Sequence, residues 1–364
     1  MSTGNGPKDE YCPMMSRRGF MGGLAAVASA SAIHGVTSSS EAATAESLIA
    51  KPPAGFSPLA LPGTVVKVSG KGDFPGLMHK NQLWPKAEIA KRLLEKAMME
   101  LTGAANLTEA MKRFVHPSDT VAIKPNGIAG NGMATSYELV APVVEACIGA
   151  GVAPERIMVF EQYGSYLLAC RVGAPKFKLP DGVKVGFHNN KDHPMSGIKI
   201  YEGITTKYCR QFTEATCVIN MGLVKDHSIC GYTGALKNIT HGTINNPEAH
   251  HAHFANPQIA MLYAHPIVTS RVRLHIADAF KLMYDRGPLL KDANTVVPHG
   301  AVYVATDPIA LDTMGALAVD EERKKHGLKT LAGSGRGPKY IDAGSELGLG
   351  IRDVNQIRMK SYEV

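Results

Sequence analysis

Between residues 218 and 253 the chain reads VINMGLVKDHSICGYTGALKNITHGTINNPEAHHAH, and five of its 14 histidines fall there. These are His227, His241, His250, His251 and His253, in the company of Lys225, Lys237, Asn238 and Cys230. Neutral imidazoles ligate first-row metals, whereas lysines hold carboxylates and phosphates as point charges. An apolar strand opening into a loop rich in such groups is how an α/β protein presents chemistry. Any one of these histidines suits a solvated polar loop; as a cluster they favour metal or anion binding. Their spacing matches no diagnostic pattern such as H-E-x-x-H, so no particular metal is implied.

Lysine argues for the anion. Lys225 and Lys237 would repel a metal unless an anion bridges them, and with Lys124 and Asn238 they read as a carboxylate or phosphate clamp. A helix N-terminus after Gly231 would add backbone N–H donors. Gly127, Gly130 and Gly132 form neither G-x-G-x-x-G nor a P-loop, and no G-x-S-x-G elbow occurs, so nucleotide binding and the usual serine-hydrolase reading lack support.

The elements that would position these groups follow from periodicity. Strand-like runs at 64–68, 120–123, 156–160, 183–187, 217–221, 273–277, 301–305 and 356–359 alternate with helical patterns, among them 137–148, 232–239, 258–272 and 308–325. Such alternation predicts an α/β fold, a mostly parallel sheet with helices on both faces. Apolar runs end in Lys124-Pro125-Asn126, in Glu161-Gln162, in Lys225-Asp226-His227, in Asp278 and in Thr306-Asp307. Parallel strands would bring these ends to one carboxyl edge, where open α/β sheets bind ligands. Asp307 also reads as the N-cap of a helix opening at Pro308, and Asp278 suits a turn.

The length of 364 residues, apolar fraction of 45% and charged fraction of 20% describe a globular protein with ample core. The net charge of +7 is scattered and aromatics reach only 6%, which speaks against a nucleic-acid partner. Ser16-Arg17-Arg18-Gly19-Phe20-Met21 and the mild apolar run at 22–33 read as a twin-arginine export signal, with small-residue cleavage sites by 45. The expected organisation is a signal peptide at 1–45, an N-terminal extension with helices at 46–116 and an α/β domain at 117–364. The run is too short to span a bilayer, so the expectation is a periplasmic protein, carried by the twin-arginine translocase and not integral to the membrane. Six cysteines include no C-x-x-C pair, so neither an iron–sulfur cluster nor a zinc finger is expected from them. Five follow the signal, leaving room for one or two disulfides and at least one free thiol; Cys147 reads as core.

The segments VAIKPN (121–126), VINMGLVKDHSICGYTGALKNITHG (218–242), 276–288, ATDPIALD (305–312) and GLGIRD (348–353) resemble the bacterial family called domain of unknown function 362. The resemblance spans roughly 117–360 and implies functional weight at Lys124, Asn126, Lys225, His227, Lys237, Asn238, His253, Asp278, Asp307 and Asp312. Many relatives carry a fused ferredoxin-like module; this chain lacks its cysteine runs, which weakens the redox role those fusions imply.

The resulting expectation is an exported protein that binds a metal and/or a small anionic molecule, a metal-dependent enzyme whose reaction the residues leave open between hydrolysis, isomerisation and electron transfer. Lys124, Asn126, Lys225, Lys237, Asn238 and Asp307 would serve catalysis and substrate orientation. His227 and His253, with Asp278 or one of His241, His250 and His251, would ligate a divalent metal. The alternatives are a non-catalytic cofactor-holding accessory protein and a redox component that partners an iron–sulfur protein.

Overall fold

The computed structural model describes residues 43–364, which belong to one compact unit. The export signature lies outside the described residues. Eleven strands form in this order: β1 Thr64–Ser69, β2 Val121–Lys124, β3 Ile157–Glu161, β4 Lys184–Phe187, β5 Ile198–Lys199, β6 Thr205–Thr206, β7 Cys217–His227, β8 Gly231–Thr233, β9 Val272–Met283, β10 Val296–Ala305 and β11 Arg358–Glu363. Nine belong to one sheet in the order β11-β1-β10-β9-β7-β2-β3-β4, with β8 paired to β7; β5 and β6 make a separate ribbon. Five pairings in the large sheet are parallel, and three, β1 with β10, β10 with β9 and β7 with β8, are antiparallel. The fold is therefore α/β, a mostly parallel mixed sheet.

Strand residues alternate between two cores. Val121, Ile123, Ile219 and Ile276 pack on one face with helices α1 (Ala87–Thr102) and α2 (Tyr137–Gly149). Ala122, Val218, Ala277 and Tyr303 pack on the other with α4 (Ala235–Thr240), α5 (Gln258–Ala264) and α6 (Pro308–Lys325). A short α3 (Gly164–Ala169) follows β3. Period-two alternation with apolar residues on both faces is what a sheet covered on both sides requires. The segment expected as an extension supplies β1 and α1 to this same layered structure.

Several expected boundaries shift, each for a local reason. The helix expected over 258–272 stops at Ala264 because His265 precedes Pro266, and a residue before proline is pushed out of the helical region; its ψ is 135°. The pattern at 232–239 divides into β8 and α4. β7 runs on through His227, so Lys225 and His227 sit on a buried strand and not in a loop. The room the cysteine count left for disulfides is not used among the described residues: Cys147, Cys170, Cys209, Cys217 and Cys230 are all buried and unpaired. Among the described residues no helix is long and apolar enough to cross a membrane.

Candidate functional site

A pocket of about 230 Å³ opens where β2, β3 and β7 end. The β7–β8 hairpin builds one side. Lys225 and His227 are two residues apart and share a face, and antiparallel pairing sets Lys225 opposite Thr233 and His227 opposite Gly231. Lys237 and His241, four apart on α4, present together beside them. The segment Pro247–Ala255 closes the wall with Pro247, Glu248 and His251.

The floor is a continuous buried network. Lys124 Nζ pairs with Glu161 Oε2 at 3.0 Å, and the Glu161 carboxylate also accepts from the backbone N–H groups of Gly127 at 2.8 Å and Gln162 at 2.5 Å. Lys225 Nζ donates to Asn126 Oδ1 at 2.9 Å and to the Pro288 carbonyl at 3.3 Å. Asn126 Nδ2 donates to Asn238 Oδ1 at 2.9 Å, which also accepts from Lys124 at 3.4 Å. Asn238 Nδ2 in turn donates to Asn220 Oδ1 at 2.7 Å, and Asn220 Nδ2 to His275 Nδ1 at 2.9 Å. Donors all run one way, so each amide is fixed by its neighbours. Close approach demands glycine at two points. A Cβ on Gly127 would stand 1.9 Å from the Tyr166 carbonyl, and one on Gly242 2.5 Å from the Asn238 carbonyl and 2.9 Å from Lys124 Cε.

The imidazoles are held in defined tautomers. His227 Nδ1 accepts from the backbone N–H of Ile229 at 3.1 Å and Cys230 at 3.4 Å, so its proton rides on Nε2. His251 Nδ1 donates to the Pro247 carbonyl at 3.0 Å, which leaves Nε2 to accept from Lys237 Nζ at 3.1 Å. His241 and His227 pack against the His251 ring with centroids 4.7 and 5.5 Å away. Burial first, then the Lys237 charge, lowers the basicity of His227 and His241 and takes His251 down to about 4. Burial pulls Lys225 down to about 7 despite the nearby Glu161 charge, and it lowers Lys237 too. Thr233 is among the lining residues, and its buried hydroxyl has no hydrogen-bond partner.

The pocket thus gathers Lys124, Asn126, Lys237, Asn238, His227, His241 and His251, with Lys225 directly behind Asn126. Four expected members lie elsewhere. Asp307 ends β10, which runs antiparallel to β9, so it falls at the opposite edge of the sheet; there it caps α6 and accepts from Ala310, Gly63 and Ile351 N–H groups. Asp278 receives the Ser136 backbone N–H and hydroxyl at the start of α2. His250 is buried against Thr206, at 2.7 Å. His253 is exposed and meets Glu202 at 3.3 Å. The N-terminal N–H groups of α4 are not free for an anion, because the buried Asp312 carboxylate accepts those of Ala235 at 2.5 Å and Leu236 at 3.1 Å.

A divalent metal does not fit this donor set. His253 and Asp278 are held outside the pocket, the His227 Nδ1 lone pair is spent on backbone, and a lysine ammonium occupies His251 Nε2. Among the described residues no group of three or more His, Cys, Asp or Glu side chains is arranged to hold an ion. Sequence reasoning placed Glu161 at a strand end but omitted it from the site, and it missed Thr233, Asn220 and His275. Thr233 lay in an expected helix; Asn220, a polar residue inside an apolar strand run, was the readable signal for the network.

No curated protein matches the chain. Among solved structures, the lactate racemase apoprotein from Thermoanaerobacterium thermosaccharolyticum matches with a TM-score of 0.34 and 9% identity, over 65% of this chain and 53% of that one. The chain thus spans about half of that structure's length, and the site's chemistry is read from its own residues. The family model described as Domain of unknown function (DUF362) matches residues 121–317, from the first residue of β2 into α6 and across every side chain of the pocket network. The chain belongs to that family.

Proposed function

We propose that the protein is an enzyme that binds a small anionic molecule in this pocket and moves a proton to or from it. The observation that carries the reading is the 3.1 Å contact between Lys237 Nζ and His251 Nε2, facing a cavity. Burial lowers the basicity of both groups, and the Lys237 charge lowers His251 further. A lysine and an imidazole at hydrogen-bond distance beside a cavity can give a proton to, or take one from, a bound molecule. The unpaired Thr233 hydroxyl, the His227 Nε2–H and Lys237 supply donors for an oxyanion, and a donor already fixed in orientation stabilises charge that develops during reaction. Lys225 acts one step back, as a positioning residue that orients the Asn126 amide. A resident metal enters no step of this reading, because of the expected ligands only His227, His241 and His251 reach the pocket, and His227 Nδ1 and His251 Nε2 are already hydrogen-bonded.

The test has two stages. Small carboxylates and phosphates are screened for thermal stabilisation of the purified protein, and hits are incubated in deuterium oxide and followed by proton NMR for loss of a C–H signal. Lys237→Met is expected to abolish exchange, and His251→Gln to slow it at least about tenfold. Failure of every acid to stabilise the protein would overturn the reading.

Export by the twin-arginine route is part of the proposal and is supported by the residues 16–33 alone. Fractionation of cells carrying Arg17→Lys and Arg18→Lys tests it: the wild-type chain is expected in the periplasm and the double variant in the cytoplasm. Equal distribution would count against it.

A further inference from the structure

The pocket lining is mixed. Beside the lysine, histidine and threonine residues, the lining includes Ile128, Tyr163, Tyr166, Pro247 and Pro288. The Tyr163 and Tyr166 rings meet edge to face with centroids 5.1 Å apart, and the Tyr163 hydroxyl is already engaged by Asn190 Nδ2 at 2.9 Å. Ile229 and Leu289, two and one residues along the chain from lining His227 and Pro288, are 40% and 45% exposed.

Charge limits the ligand further. Lys124 and Lys237 line the pocket together with Glu161 and Glu248, so the formal charges of these four balance, and Lys225 behind Asn126, held at about 7, adds only part of a cation. A polyanion would meet two carboxylates at close range. The volume of about 230 Å³ equals roughly eight waters of liquid. That suits an acid of roughly ten non-hydrogen atoms, with anything longer leaving through the mouth.

We infer that the ligand is a monoanionic amphiphile, a small oxyanion-bearing acid with a compact apolar body that lies against the tyrosine and proline residues and extends toward the Ile229–Leu289 rim. The inference rests on the anion reading above and specifies its substrate class.

Calorimetric titration of the full chain with acetate, hexanoate, benzoate, inorganic phosphate, phenyl phosphate and neutral benzamide tests it. Hexanoate and benzoate are expected to bind about tenfold or more tighter than acetate, because each buries added apolar surface. Benzoate is expected to exceed phenyl phosphate and benzamide. Acetate or inorganic phosphate binding as tightly as benzoate would overturn the amphiphile and leave the anion reading intact. Benzamide binding as tightly as benzoate would overturn the anion reading, and no binding by any acid would overturn both. Ile229→Ser with Leu289→Ser, both at exposed positions, is expected to weaken hexanoate at least about threefold and leave acetate unchanged. Unchanged hexanoate affinity would remove the rim from the site.

Discussion

Lys237 Nζ donates to His251 Nε2 at 3.1 Å while the opposite ring nitrogen of His251 donates to the Pro247 carbonyl at 3.0 Å. One backbone carbonyl thus decides which nitrogen of His251 faces the lysine. Burial and the Lys237 charge, in that order, hold this histidine at about 4. Lys237→Met removes the repelling charge and keeps the bulk, so the His251 midpoint is expected to rise toward 6.5. Proton NMR titration of the histidine ring signals reads this directly. A midpoint that stays put would show that burial alone sets it and that the two groups do not share a proton.

Acid should unfold the protein early. Burial takes His188, His250 and His265 each from 6.5 down to about 4 in the folded chain. They stay neutral when folded at pH 5, whereas the unfolded chain protonates them below 6.5. Their contribution is therefore whole above pH 6.5 and is lost as the pH falls from there to about 4, at up to about 3 kcal/mol each. Asp312, raised by burial to about 7, works in the opposite direction over part of that range. The histidines outnumber it, so guanidinium midpoints are expected to fall steadily from pH 7 to pH 4.5. A flat profile would contradict the burial described for these rings.

Asp307 is expected to matter for stability and not for ligand. Its carboxylate accepts from Gly63 at 2.8 Å, Ala310 at 2.9 Å and Ile351 at 2.9 Å. Asp307→Ala strands three N–H groups and should cost about 3 kcal/mol or more in urea unfolding, with the affinity for a bound acid unchanged. Lost affinity in a still-folded variant would return Asp307 to the site.

His253 gives the converse control. Its contact with Glu202 is exposed on both sides, and such pairs contribute little. His253→Ala is expected to change stability by no more than about 0.5 kcal/mol and ligand affinity not at all. A large loss of bound metal or ligand in this variant would restore the metal reading.

Gly242→Ala probes the floor. The added methyl would press on Asn238 and on Lys124 Cε, at 2.5 and 2.9 Å. Displacing Lys124 from Glu161 is expected to weaken acid binding at least about tenfold, with a stability loss of about 1–3 kcal/mol. Wild-type affinity would show that the lysine is free to adjust.

The sheet and its two cores were legible because alternation and helical spacing act locally. Ends of strands were readable only where the strands are parallel. Lys124, Asn126, Glu161, Lys225 and His227 fall together as expected, but Asp307 does not, since no local pattern announces that β10 runs the other way. His241 and His251 reach the pocket while His250 and His253 do not, although all four lie within 13 residues. His250 turns to Thr206 at 2.7 Å, and His253 is carried off by the backbone, where His253, Phe254 and Ala255 take positive φ of 52°, 60° and 59°. Three successive left-handed residues without glycine are a conformation that propensity does not predict.

That segment also divides the labour of the site. The lysines and amides stand on β2, β7 and α4, wedged between two cores, where a substitution threatens the whole fold. Pro247, Glu248 and His251 stand on a surface segment that is exposed at Glu248, Ala249 and 252–254 and anchored by buried Pro247, His250 and Ala255. Replacement of the wall as a cassette would change what the cavity admits and leave the proton-handling floor in place, so divergence of substrate among relatives should concentrate there while the floor stays constant.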